Sequence, residues 1–214
     1  MIRVTMVALA VACAPPAFAQ SPLAQTSKGY AEAVAQSAFG NVTSQAYGGE
    51  VGVTVGQQVQ IFAEGGHVGN VATADLSDAA QTIASALTLL QPAPVTYSVK
   101  QPVSFFGTIG VRYPFAVSSP KLAPYALGGF GLARITKDVQ FQLGGSDASV
   151  GQYVTLGSDL SGSSTRPMLT LGGGVVWQAW GRLLLDFQYR YGRIFAEDVG
   201  INVNRAGLGV GIGF

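Results

Sequence analysis

Apolar and polar residues alternate with a period of two in eight segments of this chain, at 29–39, 45–55, 59–69, 102–115, 123–135, 167–178, 183–195 and 204–214. Each is about the length of a tilted membrane-crossing strand, roughly 9 to 11 residues. In the last segment Leu208, Val210, Ile212 and Phe214 share one face, and Gly207, Gly209, Gly211 and Gly213 the other. In 183–195, Leu183, Leu185, Phe187, Tyr189 and Tyr191 point one way, and Asp186, Gln188 and Arg190 the other. A soluble sandwich would bury the apolar face and wet the polar one. A membrane barrel does the reverse, with apolar residues on lipid and charges in the lumen. Periodicity alone fits both.

Other features of the pattern favour the barrel. Aromatic residues gather near segment ends, as at Tyr113 and Phe115, Trp177 and Trp180, and Tyr191 and Phe195, where interfacial girdles belong. Connections alternate in length: the turns at 56–58, 116–122 and 179–182 are short, whereas the links at 71–101 and 136–166 are long. That asymmetry separates periplasmic turns from extracellular loops and puts both termini in the periplasm. Closure also pairs every backbone polar group, as a bilayer requires. The pattern predicts an all-β fold: an eight-stranded antiparallel up-and-down transmembrane β-barrel.

The long links carry patterns of their own. From Asp75, residues Leu76, Ala79, Ala80, Ile83, Leu87 and Leu90 recur at helical spacing, with Asp75 as N-cap and Pro92 just past the end. This predicts a short helix in the second extracellular loop, either as a lid on the barrel mouth, in the outer leaflet or against a partner. In 136–166, Val139, Phe141 and Leu143 alternate with Gln140 and Gln142, and Tyr153 lies on the return after Gly144, Gly145, Ser146 and Asp147. Strands five and six are expected to continue into a protruding hairpin whose free edge, around Val139, Phe141, Leu143 and Tyr153, offers a contact surface for a partner.

Composition narrows the class further. Charged residues are 11% of the chain while 48% are hydrophobic, and glycine occurs 29 times, unlike a soluble domain with about a quarter of its residues charged. Past the N-terminus no run of roughly 18 apolar residues exists to form a spanning helix; the stretch 79–99 is broken by Pro92 and Pro94. The first nineteen residues read as a signal peptide: Arg3, an apolar run from Val4 to Ala12, then Pro15 and Pro16 before Ala17-Phe18-Ala19. Cleavage is expected after Ala19, leaving 20–214 as the barrel domain. Cys13, the single cysteine, falls within the leader, so the mature chain has no disulfide and no thiol site. Without Arg3, eleven basic residues balance eleven acidic ones, and no nucleic-acid partner is implied.

These features, with the Gly-rich hairpin segments Gly107–Arg112 and Pro124–Arg134 and a last strand closing on Phe214, resemble the outer-membrane β-barrel superfamily that includes the OmpA transmembrane domain and OmpX. The resemblance implies a bacterial outer-membrane location, with outer-membrane lipid and lipopolysaccharide as surroundings. It also implies insertion by the barrel assembly machinery, whose C-terminal signal Gly209, Ile212 and Phe214 match.

Eight strands enclose a lumen wide enough only for side chains. The charged positions Glu32, Glu50, Glu64, Arg112, Asp186 and Arg190 are expected there. They form either a structural ion-pair network or, alternatively, an ion path or a catalytic carboxylate pair; the mixture of acids and bases favours the network. Strands three and seven lie opposite each other, so Arg190 is expected to reach Glu64 or Glu50. His67 would face lipid near the extracellular rim, where some small barrels resembling this one carry a lipid-modifying His-Ser-Glu set; here no outward carboxylate accompanies it. No metal, cofactor or nucleotide motif appears. The expected function is a non-enzymatic outer-membrane protein with a filled lumen, serving envelope integrity or surface adhesion through its loops. A narrow, porin-like solute or ion channel is the alternative, and an outer-leaflet lipid-modifying enzyme the third reading.

Overall fold

The computed structural model describes residues 28–40, 42–56, 58–90, 95–143, 146–147, 161–196 and 200–214. The segment read as a leader, the expected cleavage site after Ala19 and Tyr153 lie outside them. In chain order the elements are β1 (Gly29–Phe39), β2 (Ser44–Val55), β3 (Val59–Asn70), α1 (Ala74–Leu90), β4 (Val95–Lys100), β5 (Pro102–Pro114), β6 (Leu122–Leu143), β7 (Ser146–Asp147), β8 (Gly162–Trp180), β9 (Leu183–Ile194) and β10 (Ile201–Gly213). Leaving aside β4 and β7, eight antiparallel strands pair in sequence, β6 bonds β8, and β1 bonds β10 from Tyr30↔Gly213 to Phe39↔Asn204. The barrel is closed. Gly29 and Phe214 tie the seam, each amide donating to the other's carbonyl at 2.8 and 2.9 Å.

Side chains follow the inverted pattern. Val53, Ile61, Ile109, Phe130, Leu132, Phe187, Leu208 and Ile212 are exposed on the outer wall, while Glu50, Arg112, Asp186, Arg190 and Arg205 are buried inside. In water such a surface would be an enormous apolar patch; in lipid it is the solvated face. No described helix is long and apolar enough to cross a membrane. Tyr113 and Phe115 meet edge to face at 5.6 Å between ring centroids, and with the exposed Trp177 and Trp180 they ring the end that carries the short turns.

The opposite end carries a folded head. β6 runs on past the barrel, and its extension pairs with β4, from Lys100↔Asp138 to Val95↔Leu143. Val139 and Phe141 continue the inward phase of Ala133 and Ile135, so that beyond Lys137, which shares this phase, the ribbon's lumen-side face is apolar. Onto that face α1 packs Leu76, Ala80, Ala84 and Leu87, with Ile83, Val95 and Val99 at the margins. The helix therefore lies on the mouth side of the ribbon. The helix starts two residues earlier than its apolar spacing suggests, and Thr73 rather than Asp75 caps it: Thr73 Oγ1 accepts from the Leu76 amide at 3.3 Å. Asp75 instead sits in the first turn, favourably placed against the helix dipole.

A single side chain joins the two ends of this excursion. Asn70 Oδ1 accepts from the amides of Ala72 at 3.1 Å and Gln101 at 2.8 Å, and Asn70 Nδ2 donates to the Val99 carbonyl at 3.2 Å. Gln101 Oε1 in turn accepts from the Thr73 amide at 3.2 Å.

The expectation for the loop at 136–166 needs correction. The strands do rise beyond the membrane, and the tip of β6 turns back to pair with β7 at Gln142↔Asp147 and Leu143↔Ser146, but the extension also pairs with β4, and the apolar alternation serves the packing of α1. Val139 and Phe141 are only 5% and 3% exposed, so they form a core and not a contact surface. Leu143 pairs with Val95 through the backbone, and its side chain lies outside the described set.

Ala80, fully buried under α1, gives a local test. Ala80→Asp places an unpaired charge in this small core, a cost of several kcal/mol, and should undock α1 while sparing the barrel. Limited proteolysis should cut within 74–100 in the variant alone, while the heat-dependent shift in gel mobility stays unchanged.

Candidate functional site

The lumen is the place where this sequence concentrates chemistry, and it is filled in two layers. Toward the short-turn end lies a charged layer. Glu32, Glu50 and Glu64 stand side by side on β1, β2 and β3, in register. Arginines answer them from other strands. Arg190 crosses from β9 to place Nη2 2.7 Å from Glu50 Oε2 and Nη1 3.4 Å from Glu64 Oε2. Arg205, on β10, donates to Glu64 Oε1 at 2.8 Å. Arg112, on β5, joins Glu50 at 3.2 Å to Asp186 at 3.3 Å. Its guanidinium carbon sits 3.5 Å from the Tyr125 ring centre and 4.8 Å from that of Tyr30, an arrangement that adds cation–π attraction in a desolvated place. Tyr30 donates to Glu50 Oε1 at 2.5 Å and Tyr125 to Asp186 Oδ2 at 2.7 Å.

The backbone makes room for this network. Gly52 faces inward beside Tyr30, and a Cβ there would stand 2.2 Å from the Tyr30 ring. Any larger residue would evict the ring and with it the hydroxyl that Glu50 accepts from. The network is closed by amides: Gln188 accepts from Arg190 Nε at 2.8 Å and from Gln36 Nε2 at 3.2 Å, and donates to Glu32 at 3.4 Å. Glu32 alone among the four buried acids makes no ion pair among the described residues.

Above the charges lies an apolar layer. Ala38, Ala46, Val68, Phe106, Ile135, Met168, Ile194 and Val203 pack in one cluster, one from each barrel strand, making a septum across the lumen. Phe106 reaches it through a β-bulge: the β5–β6 register shifts between Val103 and Phe105. Val103 and Phe106 both turn inward, while Ser104 and Phe105 both turn outward. Arg205 stacks over Phe106, 4.5 Å from its ring centre, where the two layers meet. At the loop end, a cleft of about 370 Å³ opens above the septum, between α1's N-terminus and the ends of β1 and β10.

The six lumen residues named from sequence are thus brought together, and Arg205 belongs with them. Its signal was legible: Arg205 shares parity with Gly207, Gly209 and Gly211, the bare face of the last strand. His67 points outward, its Nδ1 3.4 Å from the Ser104 carbonyl, and among the described residues its ring forms no hydrogen bond or ion pair with a carboxylate. Among the described residues no group of His, Cys, Asp and Glu is arranged to hold a metal. At the seam, Ile212 and Phe214 are exposed on the outer wall while Gly209 faces inward, 3.0 Å from Gln188 Nε2 if it bore a Cβ.

No family model and no curated protein matches the chain. Solved structures do. Neisserial surface protein A superposes with a TM-score of 0.54 at 18% identity, covering 88% of this chain and 98% of that one. The N-terminal β-barrel domain of Pseudomonas aeruginosa OprF gives 0.49 at 15% identity, over 88% and 98%. Ail, the attachment invasion locus protein of Yersinia pestis, gives 0.43 at 12% identity, over 86% and 97%. At such identities the likeness is one of fold. The chain has the eight-stranded fold of the small outer-membrane β-barrels.

Truncating Arg190 leaves Glu50 and Glu64 buried with one cation fewer. Arg190→Ala should cost about 3–5 kcal/mol, against less than about 0.5 kcal/mol for Lys121→Ala in an exposed turn. Glu32→Gln, which loses no ion pair, should fall well below Arg190→Ala. Urea unfolding of the refolded variants in detergent, followed by tryptophan fluorescence, checks this order.

Proposed function

We propose that this protein is a non-enzymatic outer-membrane protein whose sealed barrel holds a folded extracellular head, serving envelope integrity and surface contact. The observation that carries this reading is the doubly filled lumen: a continuous apolar septum contributed by all eight strands, over a cross-linked charge layer. Solute passage would require displacing both. An ion path through the charge layer alone ends at the septum, where an unpaired ion has no partner. On the outside, no acid among the described residues pairs with His67, whereas a hydrolytic triad needs an orienting acid.

In this reading the short turns face the periplasm and the head faces outward. The residues presented there are polar: Gln81, Thr82 and Ser85 on α1, and Gln140 and Gln142 on the ribbon, are exposed. They replace the apolar hairpin edge as the surface for a partner. Export by the leader and insertion through the barrel assembly machinery, read from Ile212 and Phe214, complete the proposal. The mature protein should then begin at Gln20 on N-terminal sequencing.

Planar-bilayer recording of the refolded protein is the direct test. Background current without stable openings is expected, and reproducible unitary openings from the wild type would replace this reading with that of a narrow channel.

A further inference from the structure

The outer wall is not uniformly apolar. Between β3, β5, β6 and β8 a groove of about 530 Å³ runs along the lipid face, walled by Phe105, Ile109, Phe130 and Leu132, with Arg134 and Thr165 at its loop-end limit. Gly107 lies on its floor and pairs with Gly65 across β5 and β3. Two inward glycines are held small by backbone: a Cβ on Gly48 would stand 2.4 Å from the Gly65 carbonyl oxygen, and one on Gly110 2.3 Å from that of Gly128. Gly65 and Gly107 are under no such constraint. A Cβ on either would find its nearest neighbour at 3.6 Å, an ordinary contact. A strand interior loses stability with glycine, so bare positions that packing does not demand point to something that lies against the wall.

The groove is also graded along its length. Its lower part is aliphatic and aromatic. At its loop end the bulge at Ser104 turns a hydroxyl outward, and Ser104 Oγ lies 2.9 Å from Thr136 Oγ1, which lies 3.0 Å from Ser163 Oγ. This chain of hydroxyls crosses three strands. Arg134 pairs in register with Phe105 on one side and Thr165 on the other, and makes no ion pair among the described residues. An apolar trough that ends in a guanidinium and hydroxyls matches an amphiphile with acyl chains and an anionic head, because phosphate takes both the charge and the geometry of arginine.

We propose that this groove is a binding site for a phosphorylated lipid of the outer leaflet, with one acyl chain over Gly107 and the phosphate at Arg134. The inference rests on the orientation proposed above, and its test is carried out in detergent, so its outcome is independent of whether the lumen conducts.

The refolded full barrel is titrated with diphosphorylated lipid A and examined by native mass spectrometry, beside dephosphorylated lipid A, phosphatidylcholine and inorganic phosphate. A one-to-one adduct with the diphosphorylated lipid is expected. Arg134→Gln should weaken it about tenfold, the weight of one charge-assisted hydrogen bond. Gly107→Leu should weaken it comparably by filling the trough, while Val210→Ala on the far wall should leave it unchanged. Gel mobility before and after heating establishes that each variant is folded. If Gly107→Leu does not fold, Leu132→Ala, which removes a groove wall, takes its place. The proposal fails if both groove variants keep wild-type retention or if phosphatidylcholine binds equally well. It also fails if inorganic phosphate alone reproduces the dependence on Arg134, or if a dimer forms through this face in place of the adduct.

Discussion

A charge inside a closed barrel has neither bulk water nor a flexible surface to turn to, so it must find its counter-charge across the lumen. Arg190 answers that demand by bridging Glu50 and Glu64 from the opposite wall. Much of the structure depends on this bridge. It fixes the phase of β9 against β2 and β3, because a one-residue slip would turn the whole polar set onto lipid. It also dictates the small residues around it: rings and guanidinium planes occupy the lumen because glycines on the facing strands give up their volume. Glutamine finishes what arginine begins, with Gln188 linking Arg190 and Gln36 to Glu32.

Strand phase was legible in the sequence because charges and glycines mark one face and bulky apolar residues the other. The same parity that places Asp186 and Arg190 inside holds for Arg205, an isolated charge among bare glycines. The septum was harder to read. Its members are single apolar residues scattered over eight strands, and each resembles the lipid-facing residues beside it. The bulge at Ser104 compounds this, because it breaks the alternation where Phe106 turns inward.

The head shows a different limit. The alternation of Val139 and Phe141 was correctly seen, and so was the helical stripe of α1. Period tells which residues share a face but not what covers that face. The two stripes bury each other, and nothing local in either announces the match. Nor does β4 announce its pairing: it joins β6 across a separation of about forty residues, held in place by Asn70 and Gln101.

The length of β6 carries one more implication. A single strand of 22 residues passes from the short turns to the top of the head, bonded in succession to β5, β8 and β4, with no hinge between anchor and exposed tip. A pull on the head along the barrel axis would load those ladders in shear, so that many hydrogen bonds resist at once instead of opening one after another. A load applied to the outer end would thus pass directly into the wall of the barrel itself.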